Sequence, residues 1–338
     1  MRRRSRELLI LSFIEYSASS LQFRDHTFLP GQSISVKMFM QTGMDHLERY
    51  REIVPDFEDF LAIHCCPLFT SARINTLKIE RQRLLEHLDR VGLAYQIFPW
   101  YQLGLRLDAE SPGKLLVNLL GYIHIQEEVS MVPPLILDPQ PGEQVLDLCA
   151  SPGSKTTQIS QMMENRGLVI ANEPSLARVA PLRSNCERLG ALNVAITRYD
   201  GRRFPHGPFD RILVDAPCSS EGRARRSPGL LGKGSCKRSL DLQPLQMGLL
   251  QNAVRLAKPG GTVVYSTCTY APEENELVVE TVLDQARLEK VSIPGLKECP
   301  GITEWNGQNL SVDLLSCARY YPHLNDTGGF FVAKLIKN

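Results

Sequence analysis

The sequence predicts an α/β protein whose main part is a doubly wound, mostly parallel sheet, preceded by a smaller α+β unit. Two observations support this prediction. From about residue 140 onward, short apolar runs alternate with helical patterns, which is typical of parallel sheets. Acidic or thiol side chains also follow several of these runs directly. Because ligands bind outside the carboxyl ends of parallel strands, these side chains indicate a site at one edge of the sheet.

The elements of the second half follow from hydrophobic periodicity. Runs typical of strands lie at residues 144–148, 168–172, 193–198, 211–215 and 262–267. Helical spacing lies between them, at residues 155–163, 176–189, 245–256 and 273–285. Two late apolar runs, 314–320 and 330–335, are predicted to complete the sheet. The side chains at or just beyond strand ends are Asp147, Glu173, Asp200, Asp215 and Cys268.

The first half divides into two segments. Residues 1–43 lack clear periodicity, and we expect an N-terminal extension that is a disordered leader or follows from a start codon placed upstream of the folded part. Residues 44–125 form the smaller α+β domain, with strands near 71–77 and 95–100 and a helix at 84–91 that ends at Gly92. A helix over 125–131 is expected to lead into the main domain, residues 126–338.

Composition sets limits on the class of protein. The chain has 338 residues, 43% of them hydrophobic, and a net charge of +1, so any basic surface must be local. Nine cysteines without a CxxC pair indicate a reducing, cytoplasmic compartment and no metal site. The sequence contains no run of about 18 apolar residues, so we predict no membrane-spanning helix. The basic start is a poor signal peptide because Glu7 and Glu15 interrupt it. We expect a monomer.

The loop at residues 149–155 follows a strand and opens a helix. Gly153 permits close approach of the backbone to a ligand, and the helix N-terminus favours a carboxylate. The loop matches neither GxGxxG nor GxxxxGK[ST], which argues against a phosphate-binding loop. Glu173 is placed to accept hydrogen bonds from ribose hydroxyls, and Asp200 from an adenine amino group. Each acid taken alone is more readily explained as a helix N-cap or as part of a solvated loop.

Two cysteines follow neighbouring strand-like runs, Cys218 in DAPC and Cys268 in STCT. Two cysteines at one strand-end edge, beside a cofactor loop, suit the methylation of cytosine at carbon 5. This carbon is a poor nucleophile, so the reaction needs one thiolate that adds to the ring and a second group that afterwards removes a proton. Asp215 is predicted to be a buried carboxyl whose raised pKa lets it donate to the ring. The alternative for any single cysteine is a small buried hydrophobe.

A basic, glycine-containing loop follows at residues 222–240. It contains no acidic residue and six basic ones, among them Arg223, Arg225, Arg226 and Lys233. Such a run is commonly a solvated face. Beside a site that modifies a base, we interpret these four side chains as contacts to RNA phosphates.

Several motifs together resemble one family. The specific ones are DLCASPGSKT at 147–156, DAPCSSEG at 215–222 and YSTCTYAPEENE at 265–276. Supporting ones are RINTLK at 73–78, QEEVSM at 126–131 and PHLNDTGGFFVA at 322–333. Over residues 44–336 the chain resembles the Nop2/Sun family of RNA cytosine-C5 methyltransferases, which includes bacterial ribosomal RNA enzymes.

The resemblance implies a Rossmann-like class I methyltransferase domain that uses S-adenosylmethionine, preceded by a small RNA-recognition-like domain. It implies that Cys268 attacks C6, that Cys218 assists release, and that Asp215 and Lys155 hold the base. By the same likeness the cofactor is surrounded by Cys149, Ala150, Ser151, Pro152, Gly153, Ser154, Lys155, Glu173, Arg178, Asp200 and Asp215. The chain departs from the family at Ser154, usually glycine, and at Glu173, often aspartate.

The function predicted from the sequence is therefore an RNA m5C methyltransferase acting on rRNA or tRNA, and the sequence does not choose between these two. A DNA cytosine-C5 methyltransferase is one alternative. It would use Cys218 as the nucleophile, but no Glu-Asn-Val element is present and Cys268 would have no role. The other alternative is a non-catalytic RNA-binding or ribosome assembly factor with the same fold, which the presence of both cysteines disfavours.

Overall fold

The polypeptide forms two main sheets in a computed structural model that describes residues 44–233 and 236–338, without the side chains of 231–233. The predicted extension, residues 1–43, lies outside these ranges. Helices of the described ranges are α1 Phe57–Ile63, α2 Arg81–Arg90, α3 Leu116–Leu119, α4 Val132–Leu137, α5 Ser154–Met162, α6 Leu176–Leu189, α7 Cys236–Leu256, α8 Glu276–Val279 and α9 Pro322–Asn325.

The strands of the first sheet are β1 Thr70–Ile74, β2 Tyr95–Ile97, β3 Gly104–Leu107 and β4 Ile123–Ile125. Those of the main sheet are β5 Gln144–Asp147, β6 Leu168–Asn172, β7 Val194–Thr197, β8 Phe209–Asp215, β9 Ala257–Thr267, β10 Ala286–Glu289, β11 Cys299–Pro300, β14 Ala318–Tyr320 and β15 Phe330–Lys337. A separate two-stranded ribbon consists of β12 Glu304–Trp305 and β13 Gln308–Asn309.

The main sheet has the order β11-β14-β15-β9-β8-β5-β6-β7, with β10 also paired to β15. Strands β5 to β9 are parallel, and β15 runs antiparallel to β9. The chain order reverses between β5 and β8, which is the point where such sheets bind ligands. The predicted Rossmann-like architecture is confirmed. Because β8 and β9 are neighbours in register, Asp215 lies opposite Ser266 at the carboxyl edge.

Both faces of the main sheet are covered, as expected for a parallel sheet. Along β9 the side chains alternate between two cores. Val263 and Tyr265 pack with α7 residues such as Leu250, whereas Val264 packs with Ile159 of α5 and with α4. This double burial explains why β9 appears in the sequence as a continuous apolar run rather than an alternating one.

The small sheet has the order β2-β3-β1-β4, and each of its three strand pairs is antiparallel. Helix α2 packs on one face through Leu84 and Leu88 against Ile74. The guanidinium of Arg73, fully buried at the boundary with the main sheet, donates to Gln126, Gln161 and Thr157, the last two on α5. The small sheet is thus attached to the helix that opens with the predicted cofactor loop.

Residues 44–63, which we predicted to belong to the small domain, pack on the other half of the chain. Tyr50 and Phe60 share a core with Tyr270, Trp305 and Tyr321. This segment is helical, with a 3-10 turn at Asp45–Tyr50 followed by α1. The small sheet is therefore flanked on both sides by chain that contacts the main domain.

Some predicted elements differ from those observed. The prediction of a helix over 125–131 is wrong, because β4 ends at Ile125 and α4 begins at Val132 after a 3-10 turn. Pro133 and Pro134 stand in the first turn of α4, where a missing N–H is tolerated. Of the helix expected over 273–285, only α8 is α-helical, followed by a 3-10 turn at Glu280–Val282. No helix of the described ranges combines the length and apolarity needed to cross a bilayer.

Candidate active site

The two cysteines singled out from the sequence meet at the carboxyl edge of the main sheet. Cys268 directly follows β9 and Cys218 lies three residues beyond the end of the adjacent β8. Their sulfur atoms are 3.3 Å apart, and the backbone N–H of Cys268 lies 3.4 Å from the sulfur of Cys218. Both are free thiols. The parallel register of β8 and β9 is what brings them together.

The two thiols have unequal acidity. A hydrogen bond from the Cys218 thiol lowers the pKa of Cys268. Burial and the negative charge of Asp215 oppose this effect, whereas Ser220 and the positive charge of Arg223 add to it. The same hydrogen bond, together with burial, raises the pKa of Cys218 well above its ordinary value. Because the thiolate is the nucleophilic form of cysteine, Cys268 is the better nucleophile of the pair and Cys218 is its hydrogen-bond donor.

Lys155 and Asp215 form an ion pair beside the thiols. The Lys155 Nζ is 2.7 Å from Asp215 Oδ2 and 3.1 Å from Ser130 Oγ, and it lies 5.3 Å from the centre of the Phe330 ring. Ser266 donates to the other Asp215 oxygen at 2.9 Å. Asp215 is only half-buried and both of its oxygens accept hydrogen bonds, so it is not the buried donor to the ring that we expected from the sequence. The donor at this position is the Lys155 ammonium.

The predicted cofactor loop turns into α5 at Gly153. This residue has φ +104°, a conformation that favours glycine, and a Cβ there would lie 3.0 Å from Leu182 Cδ1. Ser154 is outside the positive-φ region and begins the helix, with its hydroxyl 2.8 Å from Nε2 of His124. The departure from glycine at position 154 is therefore accommodated without backbone strain.

The loop is held from its sides. Ser151 and Arg178 form two hydrogen bonds. The Ser151 hydroxyl donates to the Arg178 carbonyl at 2.8 Å, and the Arg178 guanidinium donates to the Ser151 carbonyl at 2.9 Å. The Pro152 carbonyl accepts from Asn185. Ala150 donates its N–H to the Asn172 carbonyl, so that group is used within the fold. Burial raises the pKa of the Cys149 thiol well above its ordinary value, which leaves it unreactive.

Three carboxylates extend along the strand ends from this loop. Glu173 is buried, accepts from the Ser175 N–H at 2.9 Å, and lies 3.4 Å from the Arg178 guanidinium. Asp200 is exposed and paired with Arg202, whose hydrogen bonds lower its pKa. Burial raises the pKa of Asp147 to about 7, and one of its oxygens has no hydrogen-bond partner while the other accepts from Thr156. The edge therefore presents hydrogen-bond acceptors.

The four basic side chains predicted to contact RNA have different environments. Arg223 and Arg226 are exposed. Arg225 is buried, and its guanidinium donates to Asp326 at 2.7 Å and to the carbonyls of Cys66, Pro67 and Thr327. Its assignment as an RNA contact is wrong because its donors are used within the fold. The side chain of Lys233 lies outside the described part of the chain.

Neighbouring arginines should therefore respond differently to substitution. Arg225→Ala removes the donor to Asp326 Oδ1 and to three carbonyls, although Arg106 still pairs with Asp326 Oδ2. We expect a loss of about 3 kcal/mol in unfolding free energy, read from denaturant melts. Arg226→Ala should keep stability but reduce the slope of log affinity for RNA against log salt by about one, because one phosphate contact is lost.

The matched control for Arg226 is Arg287→Ala. Arg287 is also exposed and forms an ion pair with Glu289. It lies on β10 opposite Ile336 of β15, toward the edge of the sheet that is remote from the thiols. Filter binding at several salt concentrations separates the two variants. An unchanged salt slope for Arg226→Ala would assign this loop to a solvated face.

Several residues at the site were not assigned roles from the sequence. They are Ser130, Ser266 and Phe330 beside the ion pair and Glu221, Thr269 and His46 behind the thiols. The first five lie inside the quoted motifs, so their proximity to the assigned residues was a usable signal. His46 had none. The described residues contain no group of three or more His, Cys, Asp or Glu side chains arranged to hold a metal ion.

Comparison with known proteins gives a consistent result. The family model for 16S rRNA methyltransferase RsmB/F matches residues 134–336. The tRNA (cytosine(49)-C(5))-methyltransferase of Pyrococcus abyssi is 40% identical over 306 residues, covering 88% of this chain and 97% of that one. Ribosomal RNA small subunit methyltransferase F of Escherichia coli K12 is 37% identical over 305 residues, covering 86% of this chain. The match spans only 62% of that longer relative.

Solved structures agree with the fold. A methyltransferase homolog protein from Pyrococcus horikoshii superposes with a TM-score of 0.78 at 33% identity, covering 91% of this chain and 100% of that one. The structure of NSun6 from Pyrococcus horikoshii with SFG gives a TM-score of 0.74 at 25% identity, covering 89% and 98%.

Proposed function

The chain belongs to the 16S rRNA methyltransferase RsmB/F family, and from this premise we propose that it methylates carbon 5 of an RNA cytidine through a covalent bond to Cys268. The family and the named relatives are S-adenosylmethionine-dependent RNA cytosine-C5 methyltransferases, and this chain is one of them. The resemblance to the Nop2/Sun family predicted from the motifs is confirmed. The covalent route and the choice of substrate are the parts that we propose.

The observation that carries the covalent route is the thiol pair. The Cys268 thiolate forms a bond to C6, and the electrons of the C5=C6 bond move toward the N3 side of the ring. C5 thereby becomes nucleophilic and takes the methyl group, whose bond to the sulfonium sulfur of the donor breaks. Loss of the C5 proton restores the C5=C6 bond, and the bond between Cys268 and C6 breaks.

Cys218 suits the removal of the C5 proton. Its pKa in the resting pair is high because it donates to the Cys268 sulfur. Once that sulfur is bonded to carbon, its negative charge is gone, and Cys218 can lose its proton to solvent. The resulting Cys218 thiolate accepts the C5 proton, and Cys268 leaves as a thiolate. The overall reaction releases one proton to water.

The Lys155–Asp215 pair supports cytosine as the target base. Cytosine carries a donor, the C4 amino group, beside the acceptor N3. The pair offers the complementary acceptor on Asp215 and donor on Lys155, 2.7 Å apart. Uracil carries an acceptor and a donor in the reverse order. A base taken out of its stack is commonly recognised through this edge, and a cationic donor there also stabilises charge that develops on the ring during attack.

The strand-end acceptors fit S-adenosylmethionine, whose ribose hydroxyls, adenine amino group and ammonium group are donors. Glu173 would hold the ribose, Asp200 the adenine amino group, and the loop at 149–155 the carboxylate, with Arg178 fixing Ser151 and Glu173. When bound, S-adenosylmethionine supplies an electrophilic methyl group. The relative solved with SFG, an analogue of this cofactor, supports the assignment.

Free thiols 3.3 Å apart also favour a reducing, cytoplasmic compartment.

Nucleoside mass spectrometry tests the function directly. The purified chain is incubated with S-adenosylmethionine and unmodified transcripts of tRNA or small-subunit rRNA, the two substrate classes named for its relatives. We expect 5-methylcytidine in at least one RNA and none in a DNA copy of the same sequence. Product in DNA alone would favour the DNA enzyme. RNA binding without product in either would favour the assembly factor.

Glu173→Ala should weaken binding of S-adenosylmethionine about 10- to 100-fold, because hydrogen bonds to a charged carboxylate are lost. Calorimetry without RNA measures this. Glu187→Ala is the control, since Glu187 is an exposed carboxylate near the C-terminal end of α6, the helix that follows Glu173. Equal affinity of Glu173→Ala and the wild-type protein, with both folded, would remove Glu173 from the cofactor site.

A further inference from the structure

The loops that carry the two thiols are joined to each other behind the site. Ser219 directly follows Cys218, and Thr269 directly follows Cys268. Their hydroxyl oxygens are 2.7 Å apart and both side chains are buried. The Gly222 N–H also donates to the Cys268 carbonyl at 2.9 Å. A bridge between two buried residues, each next to one of the cysteines, therefore connects the two loops.

Glu221 anchors this bridge. It is fully buried, and its two oxygens accept from His46 at 2.6 Å, from Tyr50 at 2.7 Å and from Thr269 at 3.2 Å. Burial opposes ionisation of Glu221, but these donors outweigh it, and the net pKa is lowered. Because a carboxylate only accepts, the Thr269 hydrogen points to Glu221, and Ser219 must donate to Thr269.

We infer that Glu221 and Thr269 are positioning residues for the thiol pair and that the N-terminal segment 44–54 completes this support through His46 and Tyr50. The inference rests on the proposed roles of Cys218 and Cys268. The chain of donors runs in one direction, from Ser219 through Thr269 to Glu221. It fixes the backbone at the residue after each cysteine, and Glu274 adds a second hold on the Ser219 N–H at 2.9 Å.

This support matters because the acidity of Cys268 depends on a short-range contact. The hydrogen bond from Cys218 is the largest influence that lowers the pKa of Cys268. A shift of about 1 Å in either loop would break a hydrogen bond of this length and remove that influence. Loss of the bridge should therefore raise the pKa of Cys268 without changing either cysteine.

Alkylation of the full chain by iodoacetamide as a function of pH tests the inference. Modification of Cys268 is followed by peptide mass spectrometry, without RNA or cofactor. Thr269→Val keeps the shape but cannot donate, and Thr269→Ser keeps the hydroxyl. We expect the midpoint for Cys268 to rise by about one pH unit in Thr269→Val and in Glu221→Gln, and to be restored in Thr269→Ser. His87→Ala, on α2, is the control and should match the wild-type protein.

His46→Ala provides a second test of the inferred positioning role of Glu221. His46 is partly exposed whereas Glu221 and Thr269 are buried, so we expect truncation of His46 to disturb the core less than changes at those two residues. The midpoint for Cys268 should rise in this variant as well. Wild-type midpoints in both folded Thr269→Val and His46→Ala would overturn the inference. Since the assay needs no methylation, failure of the covalent mechanism would show instead as absence of any protein–RNA adduct.

Discussion

Cys268→Ser is expected to abolish covalent attachment of RNA and to lower the rate of methylation about 10³-fold or more. A serine hydroxyl is far less acidic than a thiol and remains protonated beside Cys218, so it cannot add to C6 at a useful rate. Denaturing gel electrophoresis with labelled RNA and S-adenosylmethionine reports the adduct, and nucleoside mass spectrometry reports the product.

A matched control for this variant is Cys317→Ser. Cys317 is buried in the core of the main sheet just before β14, two strands away from β9, and burial raises the pKa of its thiol well above the ordinary value. Its replacement should affect stability and leave the adduct intact. Full methylation by Cys268→Ser would show that another group attacks the ring.

Cys218→Ser is expected to do the opposite and to accumulate the covalent protein–RNA adduct. Cys268 is retained and can still attack and accept the methyl group onto C5. The serine that replaces Cys218 is a poor base, so the C5 proton leaves slowly and the bond to Cys268 persists. The same gel should show a slowly migrating, protease-sensitive band that requires S-adenosylmethionine for full yield.

The two variants together separate the mechanisms. An adduct with Cys268→Ser and none with Cys218→Ser would reverse the roles of the cysteines and favour the arrangement of the DNA enzymes. No adduct with either variant, alongside full activity, would exclude covalent catalysis through these residues. The double variant should form no adduct in either case, because attack precedes release.

The regular part of the fold was predictable because each buried parallel strand is a short apolar run followed by a helical pattern. The bounds predicted for β6 and α6 agree with those observed, and α7 only begins earlier, at Cys236. Around residues 125–131 prediction failed because the pattern there contains a strand end, a 3-10 turn and the start of α4, each too short to show a period.

The site was predictable to the extent that it lies at strand ends. Parallel strands place their carboxyl ends at one edge, so Asp215, Cys218 and Cys268 could be grouped from sequence order alone. Partnerships across long sequence distances could not. Nothing near Arg225 indicates that Asp326 would neutralise it, and nothing near His46 indicates contact with Glu221. Such pairs depend on packing of the whole chain.

The small sheet is joined to the main domain by two stretches of chain, and this limits how the protein can select an RNA. Residues 44–63 and the α4 region flank it, and both pack on the main domain. A module held by one linker can swivel, whereas two attachments restrict rotation to the axis that passes through both. The distance from the small sheet to the thiols is then nearly constant. If the small sheet contacts RNA, as we propose from the family resemblance, we expect the enzyme to select a cytidine by its distance from the RNA feature that binds there.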